Sequence, residues 1–169
     1  MNKLKLYKGL IHLSKSNSKN GFTLIELLVV VIIIGILSAT ALPNILRQAS
    51  KAREVEGKTN IGALNRAQHA HHVEHGTFAA LIADLLNNAA VQSKYFTFPD
   101  PPVANATIVK HQALSINPVG DQVRNYATGV YFNSGEFNSL FCQSAGVNIA
   151  VNVPDAVTDP CTNGGETMR

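Results

Sequence analysis

The chain has 169 residues, 14 Lys and Arg against 11 Asp and Glu, and a formal net charge of +3. Lys3, Lys5, Lys8, Lys15 and Lys19 precede Gly21 and no acidic residue does, so the remainder carries nine basic against eleven acidic side chains. A nucleic-acid-binding body is therefore not expected. The 46% hydrophobic content excludes wholesale disorder, and two cysteines without a CxxC spacing argue against a structural zinc site or a redox motif.

Residues 22–42, FTLIELLVVVIIIGILSATAL, form a continuous apolar run that ends at Pro43. As a helix the run is roughly 32 Å long, enough to cross a bilayer's hydrocarbon core. A secretory signal has an apolar region of only about 7–15 residues followed by a small-residue cleavage site, and Ser38-Ala39-Thr40-Ala41 is a poor one. A plain signal anchor, with residues 1–19 held cytoplasmic by their lysines, is the simplest alternative. Two residues fit it badly. Glu26 puts a carboxylate into the apolar run, which costs about 2.5–3.5 kcal/mol at a membrane centre and less near an end, so such a residue is usually functional and partnered. Gly21 sits at the junction, and a cut after it would free the Phe22 amine within reach of a carboxylate, on its own chain or on a neighbour's.

Beyond Pro43 the pattern becomes amphipathic. Ile45, Leu46, Ala49, Ala52 and Val55 recur at three- and four-residue steps, and Ile61, Leu64 and Ala67 resume the stripe after Gly57. A continuous helix from Phe22 to about Glu74 would be roughly 80 Å long, and its first half must lie in lipid or against identical helices. Arg47, Lys51 and Arg53 can be read as a nucleic-acid or lipid-headgroup patch, but a solvated or subunit-facing side of the stem is the preferred account. Gly76 ends the helix as a C′ glycine, and residues 78–86 form a short helix or a covering loop.

His69, His71, His72 and His75 crowd the stem's end, and residues 71–75 spell H-x-x-E-H, the inverted-zincin pattern. His71 and His75, one helical turn apart, come nearest to a metal pair. No corroborating third ligand or motif accompanies them, so polar or half-buried positions on a helix face are preferred. No metal, cofactor or catalytic residue is expected. The enzyme alternative is a membrane-anchored zinc hydrolase using His71, Glu74 and His75.

From Gln92 onward, strand-like pieces alternate with Pro, Gly and Asn: residues 95–98, 107–116, 124–132, 137–143, and 147–153 as a last strand or edge. Three to five antiparallel strands covered by the amphipathic stem give an α+β layer arrangement. Cys142 and Cys161 both follow the apolar run, which puts them outside the cytoplasm, where disulfides persist. Pairing them would close a loop of about 20 residues and contribute roughly 3 kcal/mol; two free buried thiols is the alternative.

The run Gly21-Phe22-Thr23-Leu24-Ile25-Glu26, followed by its aliphatic stretch, resembles the type IV pilin family. The strong resemblance covers roughly residues 19–78 and includes a stem end similar to that of cyanobacterial-type pilins; beyond that it extends to general layout. It implies a class III signal in which prepilin peptidase cuts between Gly21 and Phe22 and N-methylates Phe22. The expected organisation is a cleaved leader (1–21), a hydrophobic transmembrane or filament-core half of the stem (22–43) and a globular domain (44–169). That domain would hold the amphipathic half of the stem, a connecting loop, a small antiparallel sheet and a C-terminal loop bounded by Cys142 and Cys161, in the pilin ladle fold. Glu26 would pair with the N-terminal amine of an adjacent subunit, and Gly35 and Pro43 match positions where pilin stems lose helical order inside a filament.

The resemblance further implies a homo-oligomeric helical filament built by an inner-membrane pilus assembly machinery. The precursor would be single-pass in the inner membrane with its N-terminus cytoplasmic, and the mature subunit extracellular. The filament would serve adhesion, twitching motility or DNA uptake. A type II secretion pseudopilin or a minor pilin is the alternative within the same class.

Overall fold

The computed structural model describes residues 21–85 and 91–168; the five leader lysines and Leu86 lie outside the described residues. The chain divides into two units, Met1–Ala41 and Leu42–Arg169. One helix, α1 (Leu24–His75), supplies residues to both and runs through Gly35 and Pro43.

In the first unit, the described residues 21–41 are all exposed. Val, Ile and Leu dominate there, although β-branched residues are mediocre helix formers in water. Such a sequence suits a bilayer, where a spanning segment must satisfy every backbone group internally. Helix α1 is long and apolar enough to cross a membrane.

The second unit packs the remainder of α1 against an antiparallel sheet. Its elements in chain order are α2 (Ile82–Leu85), β1 (Phe96–Thr97), β2 (Val103–Ala104), β3 (Ile108–Ser115), α3 (Pro118–Asp121), β4 (Arg124–Asn133), β5 (Glu136–Val147), a 3-10 turn (Thr162–Gly164) and β6 (Glu166–Met168). The strand order is β1-β3-β4-β5-β6, with β2 also pairing with β3. A long N-terminal helix followed by an antiparallel sheet makes the chain α+β, as the sequence predicts. Six strands stand where three to five were predicted: β1 falls within the expected 95–98 piece, whereas β2 and β6 are too short to leave a periodic signature.

Strand β4 is the centre: Tyr126 to Tyr131 are all buried, so both sheet faces are covered. Alternation along the strand assigns Tyr126, Thr128 and Val130 to one face and Ala127, Gly129 and Tyr131 to the other. The first face meets α1. There Ile61, Phe96, Ala113, Val123 and Tyr126 form one cluster, and Phe78, Val109 and Val130 another. Gly57 permits the close approach of β1: a Cβ at that position would stand 2.8 Å from the Phe96 ring.

The predicted stripe holds at Ile61 and Leu64, which are buried, but not in its earlier part. Ile45, Leu46, Ala49, Ala52 and Val55 are exposed, whereas Glu54, Gly57, Ile61, Leu64, Asn65, Gln68 and His72 are buried. Hydropathy alone could not select this face, because its polar members are accommodated by specific partners. Gln68 Nε2 donates to the Ala79 carbonyl while Gln68 Oε1 accepts from the Ala79 N–H, both at 2.9 Å. Asn65 Nδ2 donates to Thr128 Oγ1 at 2.6 Å, and Glu54 Oε1 accepts from the Arg124 N–H at 3.1 Å.

The second face carries the C-terminal loop. Ala127, Tyr131, Leu140, Val151, Val153 and the disulfide-bonded Cys142 and Cys161 share one buried cluster. Residues 148–153 form no strand, contrary to expectation: Val151 and Val153 are buried, but the backbone beside them bonds to Thr162 rather than to a ladder. The edge beside β5 belongs instead to β6, with Phe141 opposite Met168 and Cys142 opposite Thr167.

Candidate functional site

The helix start in the first unit is closed by its own side chains. Glu26 Oε2 accepts from both the backbone N–H and the hydroxyl of Thr23 at 2.8 Å, and Thr23 Oγ1 accepts from the Glu26 N–H at 3.3 Å. This reciprocal pairing is a capping box, which satisfies donors that a helix start otherwise leaves orphaned. The Thr-x-x-Glu spacing carries that signal in the sequence. Among the described residues Glu26 Oε1 accepts no hydrogen bond, so half of the carboxylate is open. Phe22 is 75% exposed. A Cβ at Gly21 would meet nothing within 4 Å among the described residues. The same open space surrounds Gly35, and Pro43 cannot offer an N–H to the helix.

The histidines at the stem's end separate into different environments. His72 is buried against Phe78, Phe132 and Phe137 at centroid distances of 4.5, 4.3 and 5.2 Å, with Nε2 2.8 Å from the Ala106 carbonyl. His69 stacks on Phe137 at 4.7 Å, and its pKa lies below the ordinary value, first through burial and then through His72. His71 and His75 stack on each other at 4.2 Å, and their Nδ1 atoms contact the carbonyls of Thr77 and His71. The H-x-x-E-H pattern thus breaks into aromatic packing and carbonyl contacts. Among the described residues no three His, Cys, Asp or Glu side chains converge as a metal site, and nothing here supports the zinc hydrolase alternative.

Cys142 on β5 and Cys161 in the C-terminal loop are bonded, with Cα atoms 5.7 Å apart. Tyr131 donates its hydroxyl to the Pro154 carbonyl at 2.7 Å, and burial, with Asp155 and Asp159 nearby, pushes its pKa up to about 12. Lys110 Nζ lies 2.6 Å from Asp155 Oδ1 and holds that carboxyl below its usual range. These contacts fix the loop on the sheet.

The profile of the type IV pilin-like G and H family matches residues 54–163, more than half of the chain. The chain belongs to that family. The prokaryotic N-terminal methylation motif matches residues 16–42, covering Gly21 to Glu26 and the apolar run. The type IV major pilin protein PilA of Myxococcus xanthus is 49% identical over 59 residues, 34% of this chain and 27% of that one. The type II secretion system core protein G of Vibrio cholerae is 35% identical over 66 residues, 39% of this chain and 45% of that one. Its Escherichia coli counterpart is 26% identical over 144 residues, 85% of this chain and 92% of that one. The chain thus spans less than half the length of the first two relatives. A pilin-like chain with an N-terminal methylation motif is a structural protein by family.

Proposed function

We propose that this chain is a filament subunit of a type IV pilus, made as a membrane-anchored precursor. The observation that carries this reading is the Gly21–Glu26 junction, at which a methylation motif, an open carboxylate oxygen and an exposed apolar helix coincide. Prepilin peptidase removes residues 1–21 and methylates the amine of Phe22, at the junction that the N-terminal methylation motif covers. Residues 22–43 remain as the hydrophobic half of the stem, and residues 44–169 as the body. The inner-membrane assembly machinery then transfers the helix from lipid to a bundle of identical helices. Both environments are apolar, so the transfer is nearly neutral by area.

Glu26 sets register by accepting from the Phe22 amine of a neighbouring copy through its open oxygen. Gly35 and Pro43 are the positions where the helix yields during packing. A head-to-tail contact that does not close grows a fibre, which would serve adhesion, twitching motility or DNA uptake outside the cell.

A type II secretion pseudopilin is the second reading, favoured by the match to core protein G over 85% of this chain. Intact mass and N-terminal sequencing of material sheared from the cell surface separate the two. A chain beginning at N-methyl-Phe22 in the sheared fraction is expected for the pilus subunit. The processed chain confined to the envelope would favour the pseudopilin, and an uncut chain in every fraction would overturn both. Glu26→Val should be cleaved normally yet fail to enter filaments; ordinary filaments from that variant would remove the register role.

A further inference from the structure

Arg47, Lys51 and Glu54 follow at steps of four and three residues, so they share one face of α1. Arg124, at the start of β4, stands beside them because its backbone N–H is tied to Glu54 Oε1 at 3.1 Å. With Ser50, Gln122 and Val147 they line an open cleft of about 250 Å³ that lies wholly within the second unit. Three cations face one carboxylate there.

Arg53, next door, is spoken for: its guanidinium lies 3.3 Å from Asp121 Oδ1 and donates to the Asp121 carbonyl at 2.9 Å. Among the described residues no carboxylate comes within 4.0 Å of the charged side-chain nitrogens of Arg47, Lys51 or Arg124. Ser50 and Gln122 already donate to the carbonyls of Leu46 and Val119. The cleft therefore offers a guest mainly positive charge, which suits a compact anion held by guanidinium and ammonium groups.

The apolar run ends at Leu42. Arg47 and Lys51 follow five and nine residues later, about 8 and 14 Å further along a helix. The polar layer of a bilayer reaches roughly 5–8 Å beyond the hydrocarbon on each side, and Arg and Lys extend apolar stems to place their charges in it. We propose that this cleft binds the phosphate of an anionic phospholipid headgroup, seating the second unit on the membrane surface before assembly. The inference rests on the membrane-anchored precursor reading above.

The test uses the uncut full-length chain in detergent, with native mass spectrometry of the lipid retained from equal amounts of phosphatidylglycerol and phosphatidylcholine. The natural chain should favour phosphatidylglycerol. The triple substitution Arg47→Gln, Lys51→Gln, Arg124→Gln should reduce that preference by on the order of tenfold or more, whereas Lys51→Arg should keep it. Unchanged thermal unfolding and an intact Cys142–Cys161 bond would establish that the triple variant is folded.

An undiminished preference in the triple variant overturns the proposal. So does a variant that keeps the preference but loses self-association, which would assign the cleft to a carboxylate of a second copy. Displacement of phosphatidylglycerol by equimolar inorganic phosphate would assign it to free phosphate instead. Vesicle flotation separates the layers of the argument. A chain that floats with both lipids but discriminates neither loses only the headgroup site; a chain that floats with neither loses the membrane reading as well.

Discussion

The two faces of the central sheet are covered by different means. Under α1 the interface contains Asn65, Gln68, His72, His111 and Thr128, all buried. Under the C-terminal loop it is small and apolar, with a covalent bond through it. A helix has 3.6-residue periodicity and its own hydrogen bonds, so it can present polar side chains to a sheet provided each finds a partner. A loop has neither regularity nor many strong core formers, and its ordering must be offset in another way. The helix face is specified by paired polar groups such as Asn65–Thr128 and Gln68–Ala79, and the loop face by a cross-link.

Breaking the cross-link should have the largest effect. Replacing both Cys142 and Cys161 by Ser removes the constraint on a loop of about 20 residues and should lower stability by about 3 kcal/mol, read by denaturant unfolding. A change below about 1 kcal/mol would mean that Val151, Val153 and the Tyr131–Pro154 bond hold the loop unaided.

The helix face should be sensitive to acid. Burial holds His111 at a pKa of about 4, and neither ring nitrogen has a partner among the described residues. Its cross-strand partner Thr128 is already engaged by Asn65. The unfolded chain takes up this proton near pH 6.5 and the folded one does not, so the stability present above pH 6.5 is lost as pH falls towards 4. The loss should approach roughly 3 kcal/mol across that window. Urea titrations of the natural chain and of His111→Leu should diverge there; parallel curves would assign the acid sensitivity elsewhere.

A smaller effect should follow Gln68→Leu, which leaves both the N–H and the carbonyl of Ala79 buried and unpaired. It should cost about 2 kcal/mol and increase amide exchange at Ala79. Stability equal to that of the natural chain would show that this face tolerates plain hydrophobic packing. The smallest effect belongs to the surface of the loop. Lys110→Ala removes a close ion pair, but the Asp155 side chain is 95% exposed, so less than about 1 kcal/mol should be lost, and high salt should lower even that.

Legibility followed physical cause. The Gly21–Glu26 junction and the apolar run stood out because a carboxylate in a bilayer-length span is costly and therefore rare. Strands β3, β4 and β5 were visible because eight to twelve residues of alternation carry a pattern. The buried side of α1 is legible only in part: Ile61 and Leu64 face the sheet as their apolar spacing predicts, whereas Ile45, Leu46, Ala49, Ala52 and Val55 are exposed. Glu54, Asn65 and Gln68 face the sheet through partners more than ten positions away in sequence. Arg124 could not be joined to Arg47 and Lys51 for the same reason: the register that brings β4 beside Glu54 is tertiary. Val151 and Val153 alternated like a strand, yet only their burial was strand-like. The Thr23–Glu26 capping box is written in the sequence as Thr-x-x-Glu, ahead of an apolar run.

The sheet's borders bear on how such a molecule meets its own kind. Its long strands lie inside, whereas the outer positions go to β1 and β2, two residues each, and to β6, three. An exposed strand edge is an open template for another chain, and short, interrupted edges deny it continuous hydrogen-bonding room. In a protein proposed to exist at high density along a fibre, that matters. Uncontrolled edge-to-edge pairing into amyloid-like aggregates is thereby blunted along the stretches that β1, β2 and β6 cover.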